Sequence, residues 1–153
     1  MIFLLASCTF SGVNLEKVQA ATRNKDITML VSYLEQGEYS YIRERAAEGM
    51  RQVPAYQGKA VAVPALRQCV RNSQEKGYVR AQCALTLGGW GIDAATDDII
   101  SSLAEVDEES RYWIAVALRG LSTPQARAQL QELANDADVY LATSVRQWLE
   151  TSR

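Results

Sequence analysis

Val79-Arg80-Ala81-Gln82-Cys83-Ala84-Leu85-Thr86-Leu87-Gly88 decides how this chain folds, because its opening phrase recurs. A branched apolar residue and an arginine are followed, two residues later, by a pair of small side chains. The same order stands at Ile42-Arg43-Glu44-Arg45-Ala46-Ala47 and, with Ser110 in place of the branched residue and Ile114 in place of the first small one, at Ser110-Arg111-Tyr112-Trp113-Ile114-Ala115. A worn fourth copy begins at Val139-Tyr140. Arg43 to Arg80 is 37 residues, Arg80 to Arg111 is 31, and Arg111 to Tyr140 is 29. A loosely kept period of this size marks a helical solenoid.

The segments between the copies carry helical spacing. Ile27, Leu30, Val31 and Leu34 form one apolar stripe, with Asp26 placed to cap its start and Gly37 to end it in a left-handed turn. Ser40 is the expected cap of the return helix, which stops before Pro54. A second pair runs from residue 60 to 70 and from 78 to 87, with Pro64 expected in its first turn, where a missing N–H costs nothing. Gly88-Gly89-Trp90-Gly91 follows a helix and therefore reads as a helix stop, not as a phosphate loop. A third pair is expected over 96–106 and 108–121, and a fourth over 123–135 and 138–151. Thr123-Pro124 supplies a cap and a first-turn proline for the fourth. A short helix over 13–23 covers the open end. The fold class is all-α, an αα-superhelix of about four hairpins over 13–153.

The order Val63-Pro64-Ala65-Leu66, turn, Val79-Arg80, Cys83-Ala84, Leu87-Gly88 resembles the HEAT repeat, in particular the type first grouped with phycobilisome lyases. The resemblance covers about residues 26–151. It implies that Arg43, Arg80 and Arg111 bridge adjacent repeats instead of binding a ligand. It also implies that the second helix of each hairpin lines the concave side.

Composition narrows the functions. The chain has 153 residues, a net charge of -2 and no histidine. A general polyanion binder needs a basic face, so nucleic acid is not an expected partner. Without histidine there is no Ser-His or Cys-His nucleophile pair and no His-built zinc site. The acidic residues at 93, 97, 98 and 107–109 do not match a calcium loop and read as caps and turns. No cofactor and no catalytic residue are expected.

The N-terminus suggests an address. Leu5-Ala6-Ser7-Cys8 resembles a bacterial lipobox, whose cysteine is lipidated after cleavage. No Lys or Arg precedes Cys8, and the apolar run Ile2 to Ala6 is far below the ~20 residues that span a bilayer. Residues 1–12 are thus either the end of a lipoprotein signal and anchor segment or an apolar tail. Cys69 and Cys83 lie almost symmetrically about one hairpin turn. They are either small packed hydrophobes or, in an exported chain, a disulfide.

The expected function is a non-catalytic protein-interaction or scaffold module, held in the bacterial envelope by a lipid on Cys8. The alternatives are an accessory factor or lyase with a chromophore on the concave surface, and a cytoplasmic adaptor. Two positions in each second helix should face the concave side: Arg45, Gln82, Trp113 and Ala142, then Glu48, Leu85, Val116 and Val145. Apolar residues take over toward the C-terminal repeats. Leu85, Tyr112, Trp113, Val116 and Arg119 are therefore the expected partner site, since exposed aromatics rimmed by Arg are typical of contact hot spots.

Overall fold

The computed structural model describes residues 12–151, and among these every regular element is helical. A capping helix α1 (Leu15–Arg23) precedes four hairpins. These are α2 (Ile27–Gln36) with α3 (Ser40–Arg51), and α4 (Ala55–Arg71) with α5 (Gly77–Gly89). Then come α6 (Thr96–Ser102) with α7 (Glu108–Arg119), and α8 (Pro124–Leu133) with α9 (Val139–Thr151). The all-α superhelical solenoid read from the sequence is the observed fold. Cys8 and the apolar run before it lie outside the described residues.

The local signals hold in most places. Asp26 accepts the Met29 N–H, and Thr123 accepts the Ala126 N–H ahead of Pro124. Asp107 caps α7 through both the backbone N–H and the hydroxyl of Ser110. That bond explains the serine where the other copies carry Ile or Val: the side chain is buried, and its hydroxyl is satisfied by the cap. Gly91, at φ 62°, makes the left-handed stop after α5.

Several expectations are corrected. Gly37 is not left-handed; its φ is -60° and its ψ 121°. It is needed for space, because a Cβ there would meet the Tyr33 carbonyl oxygen at 2.5 Å and Ile42 Cγ2 at 2.9 Å. Ser40 is the first helical residue, not the cap; Tyr39 holds the cap position without a side-chain bond, and the Ser40 hydroxyl meets the Tyr78 hydroxyl instead. Pro64 lies inside α4, which begins at Ala55. The proline deprives the Ala60 carbonyl of its helical partner, and both residues are solvent-exposed, so water can replace the lost bond. The expected helix over 96–106 is shorter, with 3₁₀ turns Asp93–Ala95 and Leu103–Glu105 on either side of α6.

The second helices α3, α5, α7 and α9 form one layer and the first helices α2, α4, α6 and α8 the other, with the core between them. Ala46, Ala47, Cys83, Ala84, Ile114 and Ala115 are all buried in that core. Small residues let the second helices approach. A Cβ on Gly49 would strike Thr22 Oγ1 of α1 at 2.3 Å, and one on Gly88 would strike the Ala117 carbonyl oxygen of α7 at 2.3 Å. Between α3 and α5 the buried Thr86 hydroxyl donates to the Ala47 carbonyl at 2.8 Å. Trp90 is buried beside Gly58 of α4, its indole N–H donating to the Val53 carbonyl at 3.2 Å.

A ladder of arginines ties successive repeats together, as the resemblance implied. Arg43 of α3 makes a two-bond contact with Glu75 in the turn between α4 and α5, at 2.6 and 2.8 Å. Arg80 of α5 reaches Glu105 at 2.8 Å and the Val70 carbonyl at 2.9 Å. Arg111 of α7 pairs with Asp136 in the turn before α9. Arg67 and Asp98 do the same between α4 and α6, at 2.6 Å. Arg80 is only 2% exposed, and a charge so buried requires such partners. The Cys69 and Cys83 sulfurs form a disulfide that pins α4 to α5, with Cα atoms 6.4 Å apart, so the pairing the sequence left open is a covalent one.

Candidate functional site

The last seam of the layer formed by the second helices differs from the others. In α3, α5 and α7 the buried pair begins six residues after the first helical residue, at Ala46, Cys83 and Ile114. In α9 the equivalent buried pair is Leu141-Ala142, only two residues after Val139. The fourth copy is therefore offset from the third by 27 residues rather than 29, and α9 lacks about one turn at its start. Asp138 sets that late start by accepting the backbone N–H groups of Tyr140 and Leu141.

This register corrects two expected surface positions. Ala142 and Val145 are buried, with no more than 1% of their surface exposed, because they pack as Ala115 and Leu118 do in α7. The exposed positions on either side of this pair are Tyr140 and Thr143 instead.

The missing turn leaves an open cleft of about 270 Å³ between the first turns of α7 and the start of α9. It is lined by Glu108, Glu109, Tyr112, Trp113, Asp138 and Tyr140. Tyr112 is the hub of its rings. Its centroid is 5.2 Å from Trp113, edge to face, and 5.1 Å from Tyr140, tilted by 36°. Trp148 of α9 closes on Tyr112 from the other side at 5.9 Å. Burial, and then a hydrogen bond with Tyr140, hold the Tyr112 phenol above the usual tyrosine range. Trp113 is 42% exposed and Tyr140 68%. These rings stand where α3, α5 and α7 are joined by small residues, so the α7–α9 seam is wedged by aromatics.

The five expected partner residues divide over this face. Tyr112 and Trp113 meet in the cleft. Leu85 on α5 and Val116 on α7 are half-buried, at equivalent positions of neighbouring helices. Arg119 is exposed but turned away, with its guanidinium 5.5 Å over the Trp148 ring. Arg119 and Trp148 line a second cleft of about 420 Å³ with Leu121, Pro124 and Leu149 among its walls. Tyr140, Trp148 and the carboxylates of Glu108, Glu109 and Asp138 were not among the expected site residues. The Asp138 cap, read together with the positions of Leu141 and Ala142, is the sequence signal that could have located Tyr140.

Among the described residues no helix is long and apolar enough to cross a membrane, and no group of acidic or thiol side chains is arranged to hold a metal ion. A search of curated proteins finds no match for the chain. A family profile described as HEAT repeats matches residues 63–150, more than half of the sequence.

Proposed function

This chain belongs to the HEAT-repeat family, and we propose that it acts as a non-catalytic protein-binding module whose contact surface is the aromatic end of its second-helix layer. HEAT repeats are generally protein-interaction scaffolds. The observation that carries the reading here is Trp113. A tryptophan exposed over 42% of its surface, beside the exposed Tyr140 and the half-buried Leu85 and Val116, is a costly apolar surface to leave in water. A partner that covers it recovers that cost.

The test is partner capture with immobilised protein. Wild type retains a specific protein, and Trp113→Ala loses it while its melting temperature stays within a few degrees of wild type. Equal capture by both forms refutes the surface. A collapse of folding in Trp113→Ala would mean that the residue serves the core.

The same proposal includes the address. Leu5-Ala6-Ser7-Cys8 supports processing and lipidation at Cys8. The Cys69–Cys83 disulfide is in keeping with an oxidising compartment such as the bacterial envelope. Acyl chains contribute anchoring at ~0.8 kcal/mol per buried CH₂. Cys8→Ser should then release the protein from membranes, and intact mass should show Cys8 as the modified first residue. Retention of Met1 in the native protein refutes this part alone.

A further inference from the structure

The cleft left by the late start of α9 combines two features that favour a positive charge. Three aromatic rings line it, and the faces of such rings carry partial negative charge. Three carboxylates, those of Glu108, Glu109 and Asp138, line it too, and no Lys or Arg does. Most other carboxylates at the repeat junctions are already neutralised: Glu75 by Arg43, Asp98 by Arg67, Glu105 by Arg80 and Asp136 by Arg111. Among the described residues none of the three cleft carboxylates makes an ion pair. The junction arginine nearest them, Arg111, is taken by Asp136.

We infer that this cleft receives the cationic side chain of a lysine or arginine from a polypeptide partner. The inference deepens, and rests on, the reading of this face as a protein-binding surface. An anion finds no donor side chain of positive charge there. An uncharged apolar group would strip water from carboxylates without replacing it. A cationic side chain meets the ring faces and the carboxylates together. The occupant is a polypeptide because Trp113, on the cleft wall, lies one turn along α7 from the half-buried Val116, and with Leu85 at the matching position of α5 these residues form a ridge beside the cleft. A chain lying on that ridge can lower one side chain into a volume of about 270 Å³.

The experiment uses the whole chain, with the Trp113 indole and tyrosine ring signals followed by NMR. The probes are capped Gly-Lys-Gly and Gly-Arg-Gly peptides. Their neutral counterparts carry norleucine and citrulline, and choline is a separate arm. The lysine and arginine peptides should shift the Trp113 and Tyr140 signals, and the neutral peptides should bind at least about fivefold more weakly. The double variant Glu108→Gln, Glu109→Gln, checked for fold by circular dichroism, should lose about the same factor, and added salt should weaken the cationic peptides. Asp138 is left intact because it caps α9. Equal binding of neutral and cationic peptides overturns the inference, as does unchanged binding by the double variant. Binding of choline alone, or no shift with either cationic peptide, also overturns it. If those outcomes occur while Trp113→Ala still loses the captured partner, only the cation site fails. If the peptides behave as expected and capture is unaffected by Trp113→Ala, the surface reading fails and the site remains.

Discussion

Gly88→Ala should destabilise this protein although it replaces a helical glycine by the best helix former. Gly88 lies in α5 with its Cα against the backbone of α7. An added Cβ would be 2.3 Å from the Ala117 carbonyl oxygen and 2.8 Å from Ala117 Cα. Comfortable contact begins near ~3.5 Å, so the shortfall is roughly 1 Å. The obstacle is backbone and cannot rotate away, so α5 and α7 must separate along a seam that buries Ala84, Leu87, Ile114 and Leu118. Overpacking of this kind costs about 1–3 kcal/mol, against a propensity gain of up to ~1 kcal/mol for Gly to Ala. With a backbone obstacle that cannot rotate away, the cost lies in the upper half of that range, at about 2–3 kcal/mol, so the net loss should be about 1–2 kcal/mol. For a chain of 153 residues, that lowers the melting temperature by roughly 2–8 °C. Gly89→Ala is the internal control. Its nearest neighbours would be Arg51 Cδ at 3.7 Å and Cγ at 3.8 Å, ordinary contacts, so only the propensity gain remains. Gly89→Ala should therefore melt at or slightly above wild type. Gly120→Ala meets the Gly88 carbonyl oxygen at 2.3 Å, so it strains the same seam and should not add to Gly88→Ala. Thermal melts and urea titrations followed by far-UV circular dichroism read wild type, the three single variants and the Gly88→Ala, Gly120→Ala double variant. A Gly88→Ala protein as stable as wild type, or an equal response of Gly88→Ala and Gly89→Ala, would show that the α5–α7 backbone contact does not limit this seam.

Two further measurements probe the repeat junctions. The disulfide closes a sequence separation of 14, for which chain entropy gives about 3 kcal/mol, so reductant should lower the melting temperature by roughly 6–12 °C; an unchanged melt, or two alkylatable thiols at Cys69 and Cys83 without reduction, would contradict it. Stability should also fall in acid. Burial raises the Glu75 pKa, but the Arg43 bond and the Lys76 N–H outweigh it, so the carboxyl lies below its usual 4.5. The Asp107 carboxyl is held below 3.8 chiefly by the Ser110 N–H, and that of Asp136 by the Asp138 N–H and then by Arg111. Groups depressed by folding contribute stability that is complete above the unfolded values and is lost as pH falls through the folded ones. Melting temperature should thus be level from neutral pH to about pH 5 and drop below about pH 4, with a shallower drop in Glu75→Gln. An identical pH profile for Glu75→Gln would show that the Arg43 pair contributes nothing.

The residues that form helices could be read from the chain, because helical periodicity, caps and stops are local. Asp26, Asp107 and Thr123 satisfy their own first turns, and no distant residue is needed to see it. The arginines at 43, 80 and 111 recur for the same reason: each repeat meets its neighbour with the same geometry. Other features depend on distances between helices, which follow from the summed volumes of facing side chains. Pro64 could sit within α4 only because that face of the helix meets solvent. Cys69 and Cys83 could be joined only once α4 and α5 were brought within 6.4 Å at that height. The copy spacing alone misplaced the fourth repeat by two residues. Its arginine position falls on the cap, Asp138, so the buried pair Leu141-Ala142 alone carries the register. Local periodicity, caps and the repeated phrase are enough to specify a helical solenoid with an aromatic C-terminal end. Tertiary packing decided that the end is open, because α9 begins a turn late and the rings of Tyr112, Trp113 and Tyr140 occupy a seam that small residues close elsewhere.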